Sequence, residues 1–260
     1  MIGYLEKQLC KRFVNQDIKL LAGQTYVFGA YIWHCGLSSG AKVTITASTS
    51  ESDLQNTQLV HGNIVGYQQS GYSIVAYTPT SDVFLHNFYV EVGNAGGNQG
   101  DNYGVPLSIT DPFAVPLNQF TSKLIGGGLD VLTSLGGRFG MPYPHLDASQ
   151  HGVLGIMRAD NLTAGDKVVV SIPINYESGS MANFSQISLG LAKPGNDDIY
   201  SQFDDLEFQP LMPGYYTYDF YFVWKDEYKN YINNNMVQLN LISNGIGNSE
   251  KAYVVSVEVS

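Results

Sequence analysis

GYYTYDFYFVW, residues Gly214–Trp224, is the stretch whose reading decides the fold. Seven of its eleven residues are aromatic, and no strong helix breaker follows the opening glycine. Aromatic and β-branched side chains suit a pleated, half-buried surface. Successive residues of a strand face opposite sides. One face therefore carries Tyr216, Tyr218, Phe220, Phe222 and Trp224, and the other carries Tyr215, Thr217, Asp219, Tyr221 and Val223. The first set is the more apolar and should point into a core. The second mixes phenols, a hydroxyl and a carboxylate, which suits a wet face. Two readings of that face are open: a sandwich strand with an unusually aromatic exterior, or a surface on which a ligand stacks.

Outward from this strand, the composition supports an all-β protein. The chain has 260 residues, with 28 Gly, 18 Tyr and 12 Phe but only 14% charged residues. That length allows one large all-β domain or two of ordinary size. A hydrophobic share of 44% argues against bulk disorder. The formal net charge of -10 opposes phosphate backbones and anionic lipid, because nucleic-acid binding relies on clustered Lys and Arg. The two cysteines, Cys10 and Cys35, are too few for a disulfide framework and read as free thiols of a cytoplasm, although they could pair. The N-terminus, MIGYLEKQLCKRF, lacks the apolar run of a signal peptide.

Along the chain, Met1–Lys19 fits a short helix or an extended lead-in strand equally well. Alternating strands are then expected at Leu20–Trp33, Ala41–Ser48, Asn63–Tyr67, Gly71–Tyr77 and Val83–Val92. Residues 93–116 are Gly- and Asn-rich at their start and read as a loop or linker, in which Pro112 and Pro116 bracket a short extended piece. Thr121–Leu135 has near-helical leucine spacing broken by Gly126–Gly128, and reads as a connector. Further strands are expected at Gly152–Ala159, Asn161–Ile174, Phe184–Leu191, Gly214–Trp224, Met236–Ile242 and Ala252–Ser260. Leu20–Gly23 (LLAG) and Leu162–Gly165 (LTAG) open two units alike, and Val-Glu-Val appears near the end of each, at Val90–Val92 and Val257–Val259. The expectation is two tandem antiparallel β-sandwiches of jelly-roll type, residues 1–110 and 141–260, joined by a connector over 111–140.

The sequence carries no strong catalytic signature. His145, Asp147 and His151 could ligate a metal, but no second pair completes a tetrahedral site. His34 and Cys35 are adjacent, so on a strand they point apart and cannot form a nucleophile–base pair. Asp197, Asp198, Asp204, Asp205 and Glu207 match no calcium-loop spacing, and a solvated acidic loop explains them as well as calcium or glycoside hydrolysis does. No phosphate loop, dinucleotide fingerprint or nucleophile elbow is present, so neither a cofactor nor an enzyme activity is expected. The tyrosines are more informative. Flat amphipathic rings can lie on sugar rings while neighbouring Asn, Gln and Asp bond the hydroxyls. The candidate ligand-binding residues are Tyr215, Asp219 and Tyr221 on the opening strand, with Tyr67, Gln68 and Tyr72 around the Gly71 turn.

The pattern Leu-x-Ala-Gly-x-Thr-Tyr-x-Phe-x-Ala-Tyr at Leu20–Tyr31 resembles the first strand of carbohydrate-binding-module-like jelly rolls in bacteriophage tail and baseplate proteins. Phe88–Asn94 (FYVEVGN) is similar to their last strand. The second unit shares the Leu-Thr-Ala-Gly opening and the Pro213–Tyr218 strand, but lacks the closing glycine and has a longer middle. The resemblance implies a virion protein of tail, baseplate or fibre, assembled in the host cytoplasm, that binds host-surface saccharide and other virion proteins. It also implies a homo-oligomer, most simply a trimer with the connector or N-terminal segment near its axis, because weak single-site sugar binding gains from multivalency. The alternative is a purely structural capsid decoration, collar or connector part that binds only other subunits. A glycan-degrading enzyme is the third reading.

Overall fold

The computed structural model describes residues 10–12, 18–34, 40–52, 56–66, 69–92, 107–120, 122–124, 129–130, 151–178, 186–195, 201–202, 214–244, 251–254 and 258–259. The chain divides into two compact units, 1–120 and 121–260. Both are built from antiparallel β-sheets, as the alternation predicts.

The first unit contains β1 (Cys10–Arg12), β2 (Ile18–Leu20), β3 (Tyr26–His34), β4 (Ala41–Ser48), β5 (Gln58–His61), β6 (Ser70–Tyr77), β7 (Val83–Val92) and β8 (Leu107–Pro116). One sheet runs β1-β7-β4-β5, with β2 also on β7, and the other runs β6-β3-β8. Alternate residues of the two sheets meet in one core: Val43, Ile45 and Ala47 of β4, Phe88 and Val90 of β7, Phe28, Ala30 and Ile32 of β3, and Val75 of β6. Phe28 and Phe88 bridge the layers edge to face at 5.8 Å between ring centroids.

The second unit contains β9 (Ser122–Leu124), β10 (Leu129–Asp130), β11 (His151–Arg158), β12 (Lys167–Ser178), β13 (Gln186–Ala192), β14 (Ser201–Gln202), β15 (Gly214–Val223), β16 (Met236–Asn244), β17 (Lys251–Val254) and β18 (Glu258–Val259). Its sheets run β14-β13-β16-β11-β9 and β10-β17-β12-β15, with β18 also on β12. Val168, Val170, Phe220 and Phe222 are buried on the second of these, and Ile156, Leu189, Leu191, Val237 and Leu239 on the first.

The two units share one topology. In chain order, β2, β3, β4, β5, β6, β7 and β8 pair as β11, β12, β13, β14, β15, β16 and β17–β18 do. The Leu-x-Ala-Gly turns confirm the equivalence. Gly23 and Gly165 both have positive φ, 75° and 101°, the third-position geometry that glycine adopts freely. Each turn closes alike, Gln24 N–H on Leu21 O (3.2 Å) and Asp166 N–H on Thr163 O (3.0 Å). Each glycine N–H then reaches the end of the neighbouring strand, Gly23 to Pro79 O (2.8 Å) and Gly165 to Trp224 O (2.9 Å). The Val-Glu-Val echo is not part of this equivalence. Val90–Val92 lies in β7 of the larger sheet, whereas Glu258–Val259 forms β18 beside β12, the place of β8 in the first unit.

Other boundaries differ from the sequence reading. Residues 111–120 are not connector: β8 extends to Pro116 beside β3, and the 3₁₀ turn Leu117–Gln119 follows, with Leu117 N–H on Thr25 O. Residues 122–124 pair with β11, so they belong to the second unit as strand rather than helix. Asn63–Gly66 holds only an isolated bridge, Ala41 to Val65, and the strand lies earlier, at β5. In the N-terminal segment, β1 and β2 are extended.

The alternation in Gly214–Trp224 holds wherever side chains are described: Phe220, Phe222 and Trp224 are buried, while Tyr221 and Val223 are exposed. Phe220→Ala should cost about 3–5 kcal/mol, the range for truncating a buried aromatic. Tyr221→Ala should stay within about 0.5 kcal/mol of the parent. Urea unfolding of both variants checks this, and equal losses would refute the face assignment.

Candidate functional site

The outer face of β12 and β15 carries the candidate site. The strands pair without interruption from Lys167↔Val223 to Tyr176↔Gly214, so direct neighbours across the ladder share a face. Tyr221 lies opposite Val169, Val223 opposite Lys167, and Asp219 opposite Ser171. Tyr221 is 70% exposed and Val223 49%. Lys167 is exposed, and Val169 and Asp219 are half-buried. The result is an amphipathic strip: a phenol ring and two valines between a carboxylate and an ammonium.

The Tyr221 hydroxyl donates to Asp219 Oδ2 at 3.2 Å. The negative charge of Asp219, and then this hydrogen bond, hold the phenol's pKa above its ordinary value. Both effects favour the protonated phenol, so Tyr221 remains a neutral hydrogen-bonding ring across physiological pH. The base of the strip is rigid. Trp224 N–H donates to Asp166 O (2.8 Å) while Trp224 O receives Gly165 N–H, and the buried Trp224 indole meets Tyr228 edge to face at 5.4 Å. Chemically, the strip can lay an apolar ring face against a ligand, accept hydrogen bonds through Asp219 and donate them through Lys167. Among the strip's described side chains there is no nucleophile–base pair.

The six sequence candidates meet different fates. Asp219 and Tyr221 come together. Tyr215 stands on the same strand opposite Asn175, about 20 Å from Tyr221 at 3.3–3.4 Å per residue. Tyr67 and Gln68 lie outside the described residues. Tyr72 must be corrected: it is fully buried, and packs edge to face on Tyr31 at 5.6 Å and on Phe113 at 6.4 Å. The reason is that the outer face of β3, β6 and β8 is covered. Val27, Tyr31, Tyr72, Ile74 and Phe113 form a second buried layer there, and a Cβ on Gly29 would lie 2.5 Å from the Phe113 ring. His145, Asp147, Cys35 and the carboxylates Asp197, Asp198, Asp204, Asp205 and Glu207 lie outside the described residues.

Sequence reasoning missed Lys167, Val169 and a polar cluster on the larger sheet of the first unit. There the Thr44 hydroxyl lies 3.1 Å from His61 Nδ1 and donates to Glu91 Oε2 at 3.2 Å. Thr44 and Glu91 occupied outward positions of alternating strands in the sequence, which was a usable signal. His61 carried none, because it sits on a strand that periodicity did not reveal.

No family model matches this chain, and no curated protein does. Among solved structures, it is similar to the tandem CBM22-1–CBM22-2 domain of Xyn10C from Paenibacillus barcinonensis, with 13% identity over 94% of this chain and 82% of that one, at a TM-score of 0.30. The ANXUR2 extracellular domain from Arabidopsis thaliana follows, with 10% identity, 94% and 79% coverage and a TM-score of 0.26. The plant receptor-like kinase ANX1 gives 9% identity, 94% and 80% coverage and a TM-score of 0.24. None of these three is described as a bacteriophage protein.

Removing the Asp219 charge should let the Tyr221 phenol ionise at lower pH. Tyrosine ring carbon NMR titrations of the parent and of Asp219→Asn test this, and an unmoved Tyr221 midpoint would break the assigned coupling.

Proposed function

We propose that this chain is a non-enzymatic bacteriophage virion protein that binds host-surface saccharide through the outer face of β12 and β15, and works as a homo-oligomer. The observation that carries the saccharide reading is Tyr221. An aromatic ring 70% exposed, beside a carboxylate that accepts its hydrogen bond, is open to a ligand. Sugar rings present apolar C–H faces edged by hydroxyls, which complements a phenol and valines flanked by Asp219 and Lys167. The virion setting, in tail, baseplate or fibre, is supported by the resemblance at Leu20–Tyr31 and Phe88–Asn94.

A purely structural role is the second reading, and one observation favours it. The equivalent outer face of the first unit is buried, so this type of face can be covered by protein.

A glycan array probed with the whole protein separates the two. Specific binding that falls at least tenfold in Tyr221→Ala, about 1.4 kcal/mol, supports saccharide recognition. The same loss is expected for Asp219→Ala if the carboxylate accepts hydroxyls. An array with no specific binding, or binding unchanged in Tyr221→Ala, overturns the saccharide reading in favour of subunit contact.

A further inference from the structure

The charges around Tyr221 are unequal. Asp219 shares its strand and face, and Asp219 Oδ2 accepts the Tyr221 hydroxyl at 3.2 Å. Lys167 is a diagonal neighbour across the ladder, opposite Val223 and on the same strand as Val169. Asp219 is half-buried and Lys167 exposed, so water and salt screen the ammonium more than the carboxylate. The phenol registers the outcome. Its pKa moves up, first because of the Asp219 charge, so the field at the ring is negative in spite of Lys167. Two further features have the same sign. The face of an aromatic ring is itself negative and attracts cations, and this ring is exposed. The chain as a whole has a formal net charge of -10, which draws cations toward it and repels anions.

We infer that the strip selects a sugar with a free, protonated amino group, so that its ligand class is the non-acetylated amino sugar rather than the neutral or acidic glycan. This rests on the saccharide reading of the same face and narrows it. A sugar ring laid on Tyr221 and Val169 brings its edge substituents beside Asp219. A hydroxyl there donates one hydrogen bond to the carboxylate. An ammonium donates a charge-assisted bond with both partners ionised, and adds attraction to the ring face. Asp219 can serve the Tyr221 hydroxyl and a ligand together, because a carboxylate has two oxygens and about four acceptor sites. Acetylation of the amine removes the charge that the site favours. A carboxylate or phosphate in the same place meets Asp219 as a like charge. Lys167 then lies toward the Val223 end of the strip, where it can donate to a ring or hydroxyl oxygen of the adjoining sugar.

Isothermal titration calorimetry of the whole protein tests the selectivity, with linear tetramers of glucosamine, N-acetylglucosamine, glucose and galacturonic acid as probes. The glucosamine tetramer should bind at least tenfold more tightly than the other three, and its advantage should shrink as salt is raised. Asp219→Asn keeps the shape and removes the charge. It should bring the ratio of glucosamine to glucose affinity close to one, with a thermal melt like the parent's. Lys167→Glu adds negative charge at an exposed position and should raise that ratio. Equal or tighter binding of the neutral, acetylated or acidic tetramer overturns the amino-group inference and leaves the saccharide reading standing. A ratio unmoved by Asp219→Asn in a folded protein does the same, as does displacement of the glucosamine tetramer by a lysine tetramer of equal affinity. No binding to any tetramer, together with a silent glycan array, defeats the saccharide reading itself and the inference with it.

Discussion

Everything assigned to β15 depends on one backbone hydrogen bond, from Gly165 N–H to Trp224 O at 2.9 Å. The Leu-Thr-Ala-Gly turn bends through a positive-φ glycine, and its amide meets the carbonyl just beyond β15. That contact sets Val168 opposite Phe222 and Val170 opposite Phe220. Strand side chains alternate with a period of two, so a slip of one residue would turn Tyr221 inward and Phe220 outward. Trp224 N–H on Asp166 O closes the same corner from the other side. The first unit uses the same device, Gly23 on Pro79, to set Tyr26 opposite Tyr77.

Because the two corners superpose, the two faces can be compared residue by residue. Tyr26 answers to Val168 and Tyr77 to Phe222, so Ile74 and Ala76 stand where Asp219 and Tyr221 stand in the second unit. Ile74 is fully buried, in a layer with Tyr31, Tyr72 and Phe113. At these positions the surface is apolar in one unit, with Ile74 buried, and polar in the other, with Tyr221 exposed. A charge and an exposed ring cost little on an open face, and would cost much where Ile74 sits, because a buried carboxylate needs compensating partners.

The sequence made the strand class, the doubled layout and the sidedness of Phe220, Tyr221, Phe222 and Trp224 legible, because each rests on short-range periodicity. It misled wherever the answer depended on what lies across a sheet. Tyr72 has the same amphipathic ring as Tyr221, and only its neighbours Tyr31 and Phe113, 41 residues either way in the chain, show it to be core. Val90–Val92 and Val257–Val259 look alike as strings, but Val90–Val92 lies in β7 and Glu258–Val259 in the non-equivalent β18, since a three-residue alternation is common to any half-buried strand. The 111–120 segment reads as connector because it follows the Gly- and Asn-rich run after Gly93, although the extended piece expected between Pro112 and Pro116 does lie in β8. On an edge strand such as β8, prolines cost nothing if their missing donors would have faced away from the ladder. Lys167 and Val169 became part of the site only through a pairing some fifty residues distant, between β12 and β15.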